Sequence, residues 1–111
     1  MLAIREYTHN DKAPFSEWLN KLDRPVKARV MTRIDRIRRG NFGDTKSVGD
    51  GVFELRVAFG PGYRVYYGRQ GQEIVILLCG GDKGSQPRDI ARAKEFWRDV
   101  NRSTDHGNQT L

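Results

Sequence analysis

The periods of hydrophobic and polar positions change several times along the chain, and each change predicts one secondary-structure element. Residues 2–8 alternate as a strand does, and apolar residues at helical spacing follow Pro14, which suits a first helical turn. This first helix extends to about Leu22, and a stop and restart at residues 23–25 leads to a second helix that ends at Gly40. Two short helices with a tight connection predict an antiparallel helix hairpin.

A period of two returns after a glycine-rich loop over residues 40–51. Residues 52–59 and 63–69 alternate as strands, and the unbroken apolar run at 74–79 predicts a central strand that is covered on both faces. The turns between these three strands are too short for a crossover, so the strands must form an antiparallel meander.

The rest of the chain predicts one more helix and a polar tail. Pro87 opens the helix, whose apolar residues recur on one side as far as Val100, and residues 101–111 form a polar, frayed tail. The order of elements predicts an α+β fold with one domain over residues 1–100, since a chain of 111 residues buries one small core. The helix hairpin covers one sheet face, so we expect the second face to be partly open.

Composition adds a charge and restricts the setting. Twenty Lys and Arg against 14 Asp and Glu give a net charge of +6, which favours a polyanionic partner, with nucleic acid first. No run approaches the roughly 20 apolar residues that span a bilayer, and the N-terminus lacks the apolar core of a signal peptide. We therefore expect a cytoplasmic protein that does not bind a membrane. The single cysteine, Cys79, lies in an apolar run and is expected to be a buried small hydrophobe.

The open face of the meander holds the residues that are best suited to chemistry. Arg56 and Arg64 lie opposite the apolar sets of their strands, and the turn between the strands brings them close together. Two adjacent guanidiniums repel unless an anion lies between them, and a phosphate fits the planar donors of arginine. Glu54 offers the alternative, because its carboxylate could neutralise one of the two arginines.

Further basic residues lie in loops and on the second helix. Lys83 belongs to a glycine-rich turn that can hold a phosphate, or that simply connects the central strand to the last helix. Lys46, in the long loop before the meander, is a further phosphate ligand or a solvated lysine. One face of the second helix carries three arginines, Arg29, Arg33 and Arg36. This face is a nucleic-acid patch, a docking face for an acidic protein or a solvated surface.

The sequence contains no pattern that indicates a metal site or a histidine-based mechanism. His9 and His106 are isolated and no pair has metal-ligand spacing, so we expect no metal and no cofactor. Acid–base chemistry would fall to Lys, Arg, Tyr or carboxylates. This set suffices for RNA cleavage, because the 2′-hydroxyl of the substrate can attack and the protein need only position the chain and stabilise the phosphorane.

Three segments in order, at residues 54–56, 62–67 and 81–83, resemble the RelE/ParE superfamily of bacterial toxins. More narrowly, the chain resembles the addiction-module killer-protein branch, related to phage Gp49 and to HigB-type toxins, over about residues 1–100. The resemblance implies a RelE-like fold and a toxin of a type II toxin–antitoxin pair. Many RelE-like toxins are endoribonucleases that cut mRNA in the ribosomal A site with basic residues in place of a histidine pair.

The resemblance also implies roles for individual residues. Arg64 matches the arginine that contacts the scissile phosphate, and Arg56 matches a strand arginine on the same face. Lys83 lies where RelE-like toxins carry a basic residue, and Lys46 is a looser match. Some of these toxins have a catalytic tyrosine in the C-terminal region, and this chain has none there. Tyr66, on the Arg64 face, is either a substitute for it or a packing residue.

The implied function is that of a metal-independent mRNA endoribonuclease that works on the ribosome and blocks translation. Its expected catalytic residues are Arg64, Arg56 and Lys83, and its expected RNA-binding residues are Lys46, Arg29, Arg33, Arg36 and Tyr66. The alternatives are a gyrase inhibitor like the ParE branch, without nuclease activity, and a non-toxic protein-binding module. The expected partners are mRNA, the ribosome and an acidic antitoxin encoded nearby.

Overall fold

The structure, a computed structural model, describes residues 1–102 and 108–110. The chain forms a mixed α+β domain with one six-stranded sheet of order β2-β3-β4-β5-β1-β6. The strands are β1 (Ala3–Tyr7), β2 (Thr45–Gly49), β3 (Val52–Val57), β4 (Tyr63–Gln70), β5 (Ile74–Asp82) and β6 (Asn108–Thr110). The helices are α1 (Pro14–Asn20), α2 (Arg24–Arg38) and α3 (Gln86–Arg102), and a 3-10 turn (Lys83–Ser85) precedes α3.

The predicted meander is confirmed, and it holds the sheet together. Strands β3, β4 and β5 are antiparallel neighbours, and their register places Arg56 opposite Arg64 and Arg64 opposite Gly81. Strand β1 joins the far side of β5 in a parallel pairing that begins with Ala3 opposite Ile74. The apolar run of β5 therefore lies between two strands, in the interior position that its composition predicted.

Two predictions about the connecting segments are wrong. The glycine-rich segment is not only a loop, because its residues Thr45–Gly49 form β2 and extend the antiparallel meander to four strands. This is an exposed edge strand of largely polar residues, so it lacks the apolar alternation that marks a half-buried strand. The polar tail does not remain unpaired either, since Asn108–Thr110 pair with β1 as β6.

Helices pack on both faces of the sheet, but α3 covers the second face only in part, so that face is partly open, as predicted. One face packs against α1 and α2, which supply a row of buried side chains to the first core: Phe15, Leu19, Val26, Val30, Ile34 and Ile37. The other face packs against Ala93, Trp97 and Val100 of α3. Helix α3 carries its own apolar stripe, and that stripe needs a sheet face to be buried.

Burial explains two further features of this second core. Cys79 is 1% exposed, as predicted, and burial raises the pKa of its thiol to about 12. Trp97 lies so close to β4 that a side chain at Gly68 would overlap its ring. No helix in residues 1–102 is long and apolar enough to cross a membrane.

Candidate functional site

The candidate site lies on the α3 side of the sheet, where two rows of paired residues cross neighbouring strands. The first row contains Lys46, Glu54 and Tyr66 on β2, β3 and β4. The second row contains Arg56 opposite Arg64. Because residues two apart on a strand point to the same face, both rows share the face that α3 partly covers. The described part of the chain brings together no group of three or more His, Cys, Asp or Glu that could hold a metal ion.

A fully buried carboxylate, that of Glu54, lies at the centre of the site. Its Oε2 accepts hydrogen bonds from the Tyr66 hydroxyl at 3.0 Å and from Nε2 of Gln86, at the start of α3, at 2.8 Å. Its Oε1 has no hydrogen-bond partner among the described residues, and the nearest cation is Nζ of Lys46 at 3.9 Å. A buried acceptor without a donor lowers the stability of the folded chain, and such groups in native proteins usually have a specific reason.

Arg64 is held beside this carboxylate by two contacts. Its side chain is 12% exposed, and Nε lies 3.7 Å from Oε2 of Glu54, which is ion-pair distance but longer than a hydrogen bond. Its Nη1 donates to the carbonyl of Gly62 at 3.2 Å, and the same carbonyl accepts from the backbone amide of Lys83 at 3.0 Å. The Gly62 oxygen therefore joins the arginine to the turn that carries the exposed Lys83. Of the two arginines, Arg64 is therefore the one whose charge the Glu54 carboxylate can neutralise.

Arg56 has a different carboxylate, which the sequence did not reveal. Its Nε and Nη2 donate to Oδ1 of Asp44, just before β2, at 3.3 and 3.0 Å. The two side chains are 43% and 52% exposed. Exposed pairs of this kind contribute about 0–1 kcal/mol, so exchanging Asp44 for a phosphate costs little. The two adjacent arginines of the predicted site therefore have one carboxylate each.

Of the two roles that the sequence left open for Tyr66, the structure favours the packing residue. The side chain is fully buried beneath α3, and its hydroxyl donates to Glu54. Burial and the neighbouring Glu54 carboxylate raise the pKa of Tyr66 far above its usual value. The phenol therefore stays protonated and away from solvent, which fits a residue that orients Glu54 and does not fit an RNA contact or a proton acceptor.

The three helix arginines are on the other side of the sheet. Arg29, Arg33 and Arg36 line a groove of about 410 Å³ between α2 and the end of β3. The guanidinium of Arg29 lies 4.3 Å above the ring of Phe59, and Nη1 of Arg33 donates to the carbonyl of Arg56 at 3.1 Å. Through Arg33 this basic groove contacts the backbone of β3, and it lies on the sheet face opposite the Arg64 site.

A larger cleft of about 800 Å³, unexpected from the sequence, adjoins the site between α1 and α3. Its floor includes Gly80 and Gly81, and the second of these is paired with Arg64. A side chain at Gly80 would overlap the ring of Trp18, and one at Gly81 would overlap the carboxylate of Asp89. Glycines inside a strand are a signal of such close approach, but the residues that approach come from distant parts of the chain.

The fold and site define a small basic α+β protein whose charged groups surround a buried glutamate. Residues 17–98 match the family described as phage-derived protein Gp49-like, and the chain belongs to that family. It is also similar to an uncharacterized protein of Haemophilus influenzae, with 56% identity over 81 residues, which are 72% of this chain and 82% of that protein. The family match runs from within α1 through α2 and β2–β5 into α3, and so includes Glu54, Arg64 and Lys83.

Proposed function

We propose that this protein is the toxin of a type II toxin–antitoxin system and that it cleaves mRNA on the ribosome. The Gp49-like family, to which the chain belongs, is associated with toxins of such systems. The resemblance to RelE/ParE toxins supports the nuclease activity. The observation that carries the proposal is the placement of Arg64, a largely enclosed side chain that Glu54 and Gly62 hold next to Arg56 and the Lys83 turn.

In the proposed reaction, the 2′-hydroxyl of one nucleotide gives its proton to solvent and attacks the adjacent phosphorus. The bond to the 5′-oxygen breaks, and that oxygen takes up a proton from solvent. A 2′,3′-cyclic phosphate and a 5′-hydroxyl result, and no cofactor is consumed. Arg64 stabilises the extra negative charge of the phosphorane, since a fixed donor is most effective where charge develops. Arg56 exchanges Asp44 for a phosphate oxygen, and Lys83 adds a third cation at the rim. Glu54 acts as a positioning residue for Arg64.

We also propose an acidic antitoxin as the protein partner. The net charge of +6 supports an acidic binding partner, and so does the α2 groove, whose described lining includes Arg29, Arg33 and Arg36 and no carboxylate. The ribosome is the proposed source of the positioned mRNA, because a single domain of this size has little surface for reading RNA by itself.

The test is to express the chain alone in bacteria and to map the 5′ ends of cellular mRNA. The wild type should arrest growth and create new ends, and Arg64→Ala should reduce cleavage by about a hundredfold or more. Arg24→Ala, an exposed arginine at the start of α2, is the matched control and should cleave normally. Circular dichroism confirms that each variant folds.

Other outcomes would point elsewhere. A folded Arg64→Ala variant that cleaves at the wild-type rate would overturn the nuclease site. Intact mRNA with inhibited supercoiling would indicate the gyrase inhibitor, and expression without growth arrest would indicate a protein-binding module.

A further inference from the structure

The cleft between α1 and α3 has the size and position of a ligand site that the proposed reaction does not use. Its volume of about 800 Å³ lies within the range of about 300–1,000 Å³ that is typical of small-molecule sites. It lies where β5, with its parallel neighbour β1, reaches its carboxyl end. Ligands often bind at that end of parallel strands. The cleft lining includes Gly80 and Gly81, over which the Trp18 ring and the Asp89 carboxylate lie closely.

The lining of the cleft also carries a small excess of positive charge. Four cationic side chains line it, and none of them forms an ion pair with a described residue: Lys12, Lys21, Arg88 and Arg92. Three carboxylates, of Glu17, Asp82 and Asp89, also lie on its wall. Asp82 and Asp89 both accept hydrogen bonds from Ser85, so these two carboxylates stabilise the turn before α3. The cations outnumber the carboxylates, which favours an anionic ligand.

Flat surfaces accompany these cations. The guanidinium of Arg92 lies 5.3 Å from the centre of the Phe96 ring, and the ring of Tyr7 stacks on the same ring at 4.9 Å. On the opposite wall, the half-buried ring of Trp18 rests on Gly80. Nucleobases stack on aromatic rings and on guanidinium planes, whereas inorganic phosphate and acidic peptides need only the charge. Planes and cations together indicate a nucleotide.

The cleft adjoins the proposed cleavage site. Gly81 on its floor is the direct partner of Arg64, and neighbouring strands are about 4.8 Å apart. We propose that this cleft binds a nucleotide of the RNA strand that flanks the phosphate at Arg64, with phosphate on the lysine and arginine rim and the base against Trp18 or Arg92. The inference rests on the proposed function, since it assigns the substrate a second contact.

The test measures binding of a labelled, short single-stranded RNA whose 2′-hydroxyls are methylated, so that cleavage cannot occur. Lys21→Gln with Arg88→Gln removes two cleft charges, and Arg24→Gln with Lys27→Gln removes two charges from α2 as the matched control. The cleft variant should bind the RNA about tenfold more weakly than the wild type. The slope of log Kd against log salt concentration should fall by about 1.4, because two phosphate contacts are lost and each contributes about 0.7 to the slope. The control should retain the wild-type salt dependence. Equal losses in both variants would overturn the proposal.

A second variant tests the base contact and a second ligand tests its source. Trp18→Leu should weaken RNA binding about tenfold and leave the salt dependence unchanged, since stacking involves no phosphate. If it does not fold, the glutamine variants alone decide. A free 5′-mononucleotide is then tested as a competitor of the labelled RNA. If it competes, and the cleft variant binds it more weakly than the wild type does, one nucleotide suffices for binding. If the cleft variant weakens the binding of RNA alone, the strand is required; both results support a nucleotide site.

Failure of this inference is distinguishable from failure of the proposed function. RNA that binds through the cleft but is never cleaved by the wild type would overturn only the nuclease. Cleavage that depends on Arg64, together with RNA binding that ignores every cleft substitution, would overturn only the subsite.

Discussion

Two glutamates are buried on opposite faces of the same sheet, and they are held in different ways. Glu6 of β1 is 7% exposed, and its two oxygens accept from the hydroxyl of Ser16 in α1 at 2.6 and 2.8 Å. The amide of Ser16 adds a third bond at 3.2 Å. Glu54 is fully buried, but its Oε1 has no donor among the described residues, and its nearest cations, on Arg64 and Lys46, are 3.7 and 3.9 Å away.

The difference separates a structural carboxylate from one that prepares a site. Glu6 ties β1 to the first turn of α1, where the positive end of the helix dipole favours a negative charge. Glu54 attracts two cations without binding either of them closely, so both retain donors for another anion. A buried group that is incompletely satisfied lowers stability, and proteins keep such groups mainly where function requires them.

The largest expected contrast is in stability. Glu54→Ala should lower the free energy of unfolding by about 3–5 kcal/mol, because it leaves the enclosed Arg64 charge without its counter-charge and removes the acceptor of the Tyr66 hydroxyl. Glu6→Ala should cost only about 1–3 kcal/mol, since it removes the acceptor for a single serine. Urea unfolding of the two variants measures the difference, and a larger cost for Glu6→Ala would break the comparison.

The next contrast is in activity, with the charge removed and the shape kept. Glu54→Gln should reduce RNA cleavage by roughly ten- to a hundredfold, because Arg64 loses the charge that positions it and small misplacements are costly in catalysis. Glu6→Gln, the matched change on the other face, should cleave at the wild-type rate. Equal cleavage by both variants, at equal folded fraction, would show that Glu54 is structural too.

A smaller effect is expected at Tyr66. Tyr66→Phe should lower stability by about 1 kcal/mol through the lost hydrogen bond to Glu54 and should change cleavage only a fewfold. The same RNA assay tests whether the phenol takes part in proton transfer. A loss as large as that of Arg64→Ala would contradict the supporting role that we assign to Tyr66.

The smallest effect is a dependence of stability on alkaline pH. Burial, with Glu54 as a further cause, raises the pKa of Tyr66, so the folded chain favours the neutral phenol. The tyrosine contribution to stability is thus complete below about pH 10 and is lost as the pH rises further. Unfolding measured between pH 9 and 11 should show that the wild type loses about 1.4 kcal/mol more stability than Tyr66→Phe, which is an average slope difference of about 0.7 kcal/mol per pH unit. An unchanged slope would place this phenol in water.

Much of the fold was predictable because its strongest signals are local. The alternation of residues 53–59 and the turn at 60–62 predict a hairpin that pairs Arg56 with Arg64, as observed. The polar edge strand β2 was not predictable, since edge strands need no apolar alternation. The partial cover that α3 gives the second face was missed because the apolar stripe of α3 was identified without a surface to bury it.

The candidate site was less predictable than the fold. The arginines were found from their position opposite the apolar residues of each strand, but the same pattern did not show that Glu54 is buried and left two roles open for Tyr66. Both are buried because α3 lies over them, and no period in β3 or β4 encodes that helix. Asp44 and the cleft depend on contacts between distant segments, which a single sequence does not reveal.

The parallel pairing of β1 with β5 has a consequence for how the site is assembled. Ala3 of β1 pairs with Ile74 of β5, so β1 can join the sheet only after β5 has been synthesised. Contacts between such distant positions slow folding, because a long loop must close before they form. A nascent chain on a translating ribosome therefore has its Arg64 and Glu54 well before it has the floor of Gly80 and Gly81. Assembly of the complete site is a late event in the synthesis of this protein.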